Sequence, residues 1–374
     1  MKFIVSSTEL SAHLQIISRV LNSKNTLQLL DCFLFDVHDD EVLVTASDGE
    51  TVMTTTVALI EKDGEGRIAI TAKMLLDALR ECADQPLTFT VDEATMAVKV
   101  EYQNGEYSLM GQNADLFPQL ADMDEGVTTV EMEPAVLLAG ISRTFFAIAD
   151  DELRPVMNGI CFDITTENIT MVASDGHKLV RNRTFAAHGS DNATFILPKK
   201  PAGLLKNILT KDGNTVKLAF DDRNAAIEAD GYKLRCRLIE GRYPNYNSVI
   251  PQNNPYRVTI DRQTLIGALR RVSIFSSQAS SLIKLVLEQD KLTLSSQDID
   301  FSTSAKESIA CQYDGTDLKI GFKATFFIEM LTNIASDEIV IELADPSRAG
   351  VIVPTNQEEN EELLMLLMPM MLND

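Results

Sequence analysis

From Pro86 to Gln103 apolar and polar residues alternate: Leu87, Phe89 and Val91, then Val98, Val100 and Tyr102, with Thr, Asp, Lys and Glu between them. A period of two marks strands that bury one face, and the run "TVKLAFDDRNAAIEAD" from Thr215 to Asp230 repeats the pattern. Other stretches place apolar residues three and four apart, as in "AKMLLDAL", "PAGLLKNIL" and "ATFFIEML". Such a stripe gives a helix one face to pack on a sheet.

The two patterns recur with a period of about 126 residues. Leu10 and Leu14 open a helix echoed by Leu137 and Ile141, then by Leu265 and Leu269. A proline between large side chains closes each unit, at Pro118, Pro244 and Pro369. The turn "SDG" occurs at Ser47–Gly49 and again at Ser174–Gly176, and a degenerate third copy puts Gln297 in the place of the aspartate. Ser-Asp-Gly joins two strands well, because the polar side chains hold the turn and glycine accepts a positive φ. Each unit also splits in half: helix and three strands, then a short strand, a helix and more strands. The expected fold is α+β, with three domains at 1–126, 127–251 and 252–374, each carrying two helices packed on antiparallel sheets.

The five cysteines are widely spaced and the four histidines never sit at metal-ligand spacing, so neither a metal nor a disulfide framework is expected. The start "MKFIVSSTEL" lacks the apolar core of a signal peptide, and the longest apolar run, Leu363–Leu372, is short for a bilayer and holds Pro369. The expected location is the cytoplasm. No P-loop, dinucleotide fingerprint, HExxH or GxSxG elbow occurs, so no cofactor and no catalytic residue is expected.

A net charge of −22 argues against nucleic acid until its distribution is seen. The six helical segments 7–24, 71–83, 133–148, 198–211, 261–273 and 322–334 hold 13 Lys or Arg against 6 Asp or Glu, leaving −29 on the remaining 287 residues. Lys199, Lys200, Lys206 and Lys211 form the strongest cluster, followed by Arg262, Arg270 and Arg271, with Arg19 and Lys24 after the first helix. Cations without aromatic platforms suit phosphates and predict salt-sensitive, sequence-independent association.

The segments "VMNGICFDI", "VASDGHKLV", "LIEGRYPNYNSVIP" and "LLMPMML", in this order, together with "SKNTLQLLDCFLFDV" near the start, resemble the bacterial DNA polymerase III beta subunits, the sliding clamps. The resemblance covers the whole chain. It implies the DNA-clamp fold, closed head to tail as a homodimer into a six-domain ring that encircles double-stranded DNA and performs no chemistry. Helices would line the hole and sheets the rim.

It further implies a hydrophobic cleft for short peptides of polymerases, the clamp loader and repair proteins. Carried over by motif, the cleft uses Met157, Ser174, Gly176, His177, Lys178, Leu179, Pro244, Val249, Leu366, Leu367, Met368, Pro369 and Met370. Flexible, polarizable methionines suit a cleft that repacks around several partners. DNA contacts implied are Lys24, Arg154, Lys199 and Lys200, with Lys206 from the same basic cluster; the subunit interface is Tyr107 and Leu109 against Ile274 and Phe275. The chain departs from the family at Lys178 and Met371, where arginine is common, at Pro155–Val156, where an aromatic pair is common, and in the tail Asn373–Asp374.

Two rivals stand beside this reading. "SDGH" invites a Ser-His-Asp hydrolase, but the twin turn at Ser47 has no histidine. An acidic repeat scaffold for proteins alone explains the repeats equally well, though not the basic helices.

Overall fold

The computed structural model describes residues 1–25, 27–121, 123 and 126–372. One module, strand–helix–three strands, is written six times. The first is β1 (Lys2–Ser6), α1 (Ser7–Ile17), β2 (Cys32–His38), β3 (Glu41–Ser47) and β4 (Thr51–Ala58). After the short β5 (Glu61–Asp63) come β6 (Gly66–Thr71), α2 (Ala72–Arg80), β7 (Pro86–Asp92), β8 (Ala97–Tyr102) and β9 (Gly105–Gln112). The third module is β10 (Thr128–Met132), α3 (Pro134–Thr144), β11 (Gly159–Ile164), β12 (Ile169–Ser174) and β13 (Lys178–Thr184). The fourth is β14 (Ala193–Pro198), α4 (Lys199–Ile208), β15 (Val216–Phe220), β16 (Asn224–Ala229) and β17 (Tyr232–Arg237). The fifth is β18 (Tyr256–Asp261), α5 (Arg262–Ser273), β19 (Leu282–Glu288), β20 (Lys291–Asp298) and β21 (Thr303–Ala310). The last is β22 (Leu318–Lys323), α6 (Ala324–Thr332), β23 (Glu338–Leu343), β24 (Gly350–Pro354) and β25 (Glu361–Leu367).

All six helices fall inside the segments expected from apolar spacing. The sequence reading began the first half of each repeat on its helix; in the structure a strand precedes it each time, at β1, β10 and β18. These strands run only five or six residues, too few for alternation to stand out beside a helical stripe: β1 buries just Phe3 and Val5. The strands also supply caps. Ser6 Oγ accepts the Glu9 N–H at the start of α1, and the Asp261 carboxylate accepts the Thr264 N–H at the start of α5.

The chain divides into two compact bodies, residues 1–138 with 200–238, and 139–199 with 239–374. The first holds a thirteen-strand sheet in the order β10-β15-β16-β17-β4-β3-β2-β6-β9-β8-β7-β1-β5. Its core includes Phe3 stacked on Phe89 with ring centres 4.8 Å apart, and Phe35 beside both. The second holds an eight-strand sheet, β14-β11-β12-β13-β25-β24-β23-β18, and a four-strand sheet, β21-β20-β19-β22. Its core includes Phe162 stacked on Phe195 at 4.7 Å and Phe322 edge-on to Phe327.

Both large sheets cross the repeat boundaries. β4 pairs antiparallel with β17, Thr51 opposite Cys236 and Thr55 opposite Tyr232. β13 likewise pairs with β25, from Lys178 opposite Leu367 to Thr184 opposite Glu361. In each case the strand leaving an SDG turn joins the last strand of the following repeat. The third such strand, β21, is an edge that among the described residues pairs only with β20.

No helix among the described residues is long and apolar enough to cross a membrane. Cys32, Cys161, Cys236 and Cys311 are buried free thiols, and Cys82 is half-buried and free.

Candidate functional site

The second SDG turn is built by its own side chains. Asp175 Oδ1 accepts the N–H groups of His177 and Lys178 at 2.8 and 2.9 Å, and Ser174 Oγ donates to the Lys178 carbonyl while accepting the Gly176 N–H. Gly176 has φ +90°, a conformation that favours glycine. The first turn repeats this: Asp48 Oδ1 accepts from Glu50 and Thr51, Ser47 Oγ accepts from Gly49, and Gly49 has φ +93°. In the third copy the acceptor is Asp298, which takes the N–H groups of Asp300 and Phe301. The sequence reading put Gln297 there, one residue early; an amide oxygen lacks the charge that holds two donors.

His177 and Lys178 lie over the start of α6. The His177 ring stacks on Phe326 at 6.0 Å, and the Lys178 ammonium sits 4.4 Å from the centre of the same ring. That ammonium is 2.9 Å from Asp175 Oδ2 and 3.2 Å from Glu329 Oε2, with the side chain only 6% exposed. Burial by itself raises the Asp175 pKa, but the Lys178 amide and ammonium and the His177 amide outweigh it and hold the carboxyl below its ordinary value. Lys178 is therefore spent on two carboxylates, not presented to a ligand.

The C-terminal segment is pinned beside this turn. The Met368 N–H donates to the His177 carbonyl at 2.8 Å, and the Met370 N–H to the Gly321 carbonyl at 2.8 Å, with Pro369 between them. Leu179 and Leu366 are buried in one cluster with Val172, Tyr243, Tyr246, Ile250 and Ala349, and Val156 packs against it. The Tyr246 hydroxyl donates to Asp163 Oδ2 at 2.6 Å. Met157 and Leu367 are buried. Gly159 of the "NG" pair has no room for a side chain: a Cβ there would stand 2.8 Å from Ile196 Cγ2 and closer still to the Leu197 carbonyl oxygen.

Above the cluster lies a hollow of about 520 Å³ lined by Ser248, Val249, Ile250, Pro251, Gln252, Asn253, Arg348, Ala349 and Met368. Val249 is 54% exposed and Met368 41%. Of the residues carried over by motif, only Val249 and Met368 line it. Leu179 and Leu366 are buried in the cluster to which the lining residues Ile250 and Ala349 belong, Pro244 is exposed beside the buried Tyr243, and Ser174, Gly176 and His177 shape the neighbouring turn. Missed from the sequence were Ile250, Ala349 and Arg348. Ile250 belongs to a segment already quoted, "NSVIP", and Ala349 opens the apolar run "AGVIV", whereas nothing local marks Arg348.

The basic residues divide into engaged and exposed ones. Lys200 Nζ donates to the Val20 carbonyl and Asn22 Oδ1, and pairs with Asp48 of the first SDG turn. Arg154 Nε donates to Asp151 Oδ2 at 2.8 Å and Nη2 to the Asp175 carbonyl, bracing the second turn. Arg262 donates to the Leu331 and Ser336 carbonyls, and Arg271 forms a two-bond pair with Glu307. Lys206 is exposed in the last turn of α4. Lys24, Lys199, Lys211 and Arg270 are exposed and form no ion pair among the described residues. The outward-facing positive charge is thus smaller than the sequence count, because several cations tie loops to helices.

At the edges, β9 pairs with β6 only through Gly111 and Gln112, so among the described residues Gly105–Met110 have β8 on one side and no strand on the other. Tyr107 and Leu109 are half-buried on it, and burial pushes the Tyr107 hydroxyl up to about 12. In the second body Ile274 is 77% exposed and Phe275 40%, and Ile299 and Phe301, each 79% exposed, precede β21. The sequence reading named the first pair and missed the second. The tail Asn373–Asp374 lies outside the described residues, and Met371 before it is exposed.

Three family models match the chain in order: DNA polymerase III beta subunit, N-terminal domain, over residues 1–121, central domain over 131–245, and C-terminal domain over 247–371. A beta sliding clamp of Haemophilus influenzae is 26% identical over 98% of this chain and 99% of its own length. One of Pseudomonas putida is 25% identical over the full length of both. Among solved structures, a DNA polymerase sliding clamp of Pseudomonas aeruginosa superposes with a TM-score of 0.94 at 24% identity, covering all of both chains. The DNA polymerase III beta subunit of Thermotoga maritima gives 0.90 at 25%, again over the whole of both.

Proposed function

Because the chain belongs to the DNA polymerase III beta-subunit family and is a DNA sliding clamp, we propose that two copies close head to tail into a six-domain ring around duplex DNA. The observation that carries the ring is the repeated joint. The strand after the hairpin turn is paired twice within the chain, β4 with β17 and β13 with β25, and the third, β21, has an open edge. The open side of β9 is the matching last strand of the first repeat. Joining β21 of one copy to β9 of another makes the third joint and, done twice, closes the assembly. Ile274, Phe275, Ile299 and Phe301 then meet Tyr107, Leu109 and Met110.

The repeats taken as domains run 1–126, 127–251 and 252–374. Lys24, Lys199, Lys206, Lys211 and Arg270 provide mild attraction to phosphates, while Arg154 and Lys200 act mainly by holding the turns near them. Retention comes from topology, so weak contacts suffice and favour sliding. The hollow at Val249 and Met368 receives short peptides of replicative polymerase, clamp loader and repair proteins. The chain is a non-catalytic processivity subunit acting in the cytoplasm, with an ATP-driven loader opening the ring.

Two measurements test this. Light scattering should give about twice the chain mass of 41.3 kDa. Clamp loaded onto nicked circular DNA should co-elute with it through gel filtration and be lost when the circle is cut. Retention unaffected by cutting would sink the ring and leave a protein scaffold with a basic face.

A further inference from the structure

The hollow has one charged side chain in an otherwise uncharged lining. Arg348 stands in the loop between β23 and β24, exposed, with Val249, Ile250, Asn253, Ala349 and Met368 around it. Its Nη1 donates to the Asn253 carbonyl at 3.3 Å, and it forms no ion pair among the described residues. Its neighbour Asp345 gives its carboxylate to the hydroxyl and amide of Ser347, which hold its pKa below the usual value, the Arg348 charge adding a lesser pull without a bond between the two side chains. In a chain of net charge −22, where carboxylates outnumber cations 55 to 33, an arginine whose guanidinium is bonded to no carboxylate, beside an apolar hollow, has N–H groups left to take one.

Resting on the reading of this hollow as the peptide site, we infer that Arg348 makes it select peptides that carry an Asp or Glu side chain next to their apolar anchor. The apolar anchor enters between Val249 and Met368, and the neighbouring carboxylate accepts from the remaining guanidinium N–H groups. A planar guanidinium binds a carboxylate through two parallel bonds, which fixes the distance of the acid from the anchor. A peptide's own terminal carboxylate fits less well. Such ends are captured by clusters of free amides, whereas here the N–H groups of Ser248, Ser347 and Arg348 already donate to Asn245, Asp345 Oδ1 and the Asp345 carbonyl. Lys178 does not compete for the acid, being held by Asp175 and Glu329.

The test uses the full-length protein and a set of decapeptides, blocked at both ends, each with a Leu-Leu-Phe anchor and a single Asp walked through the other positions. Matched peptides carry Asn instead, and one further peptide has a free C-terminus with no acidic side chain. Binding is read by fluorescence polarisation. Asp should beat Asn by roughly three- to tenfold at one or two positions near the anchor, as expected for a partly exposed ion pair. The advantage should shrink with added salt, vanish in Arg348→Ala and survive in part in Arg348→Lys. Met368→Asp should abolish all peptide binding. If peptides bind and Met368→Asp blocks them but Asp keeps its advantage in Arg348→Ala, or if only the free C-terminus gains affinity, the inference about Arg348 is overturned while the peptide site stands. If no peptide binds, or Met368→Asp leaves binding intact, the peptide-site reading itself falls.

Discussion

Lys178 and Gly159 show how much a single position carries. The buried Lys178 ammonium bridges Asp175 and Glu329 over the Phe326 ring, so Lys178→Ala leaves two carboxylates without the cation between them. We expect a loss of about 1–3 kcal/mol in urea unfolding. The pH dependence follows from the lowered Asp175 pKa. A carboxyl whose folded pKa is depressed adds stability that is complete above its unfolded pKa, near 3.9, and is lost as pH falls through the lower folded value. Wild type should therefore lose this contribution below about pH 4, and Lys178→Ala should show a flatter acid limb; an unchanged limb would count against the pairing. Gly159→Ala pushes a methyl into the β14 backbone, and should cost about 1–3 kcal/mol because the Leu197 carbonyl has nowhere to go. The midpoint of denaturation checks it.

At the scale of elements, the SDG hairpins matter because of what their outgoing strands do next. Two of these strands find β17 and β25 in the same chain, and the third does not. Phe301, 79% exposed in isolation, contributes little to folding of the single chain. Phe301→Asp should leave the melting curve of the monomer unchanged and drop the light-scattering mass from about twice 41.3 kDa to the single chain. A dimer that survived this change and Ile274→Asp together would place the interface elsewhere.

For the whole molecule, charge and topology make separable predictions. Binding to linear duplex through a handful of Lys and Arg should weaken steeply with salt, the slope scaling with about 0.9 per phosphate neutralised. Retention on a closed circle should barely respond, since no contact has to persist. Equal salt sensitivity on both substrates, measured by gel filtration at about 50 and about 300 mM salt, would mean that contacts rather than encirclement hold the protein.

Much of this was legible in the chain because it is local. Helix stripes such as Leu75, Leu76 and Leu79, strand alternation such as Val98 and Val100, and the Ser-Asp-Gly turns depend on residues a few positions apart, and a period near 126 multiplied each signal by three. That determined the six helices and the α+β modules, and motif order pointed to the family. What the sequence did not determine is where long side chains end. Lys200 reaches Asp48, Arg262 reaches the end of α6, and Lys178 turns to Glu329, partners 152, 69 and 151 residues away. A count of cations sees charge but not its neutralisation. Arg348 reaches the hollow for the same reason: the loop after β23 meets the segment after Tyr246 only once β13, β25 and β24 have paired. Pairing between distant strands is set by the packed whole, and it alone decided which charges are spent and which face outward.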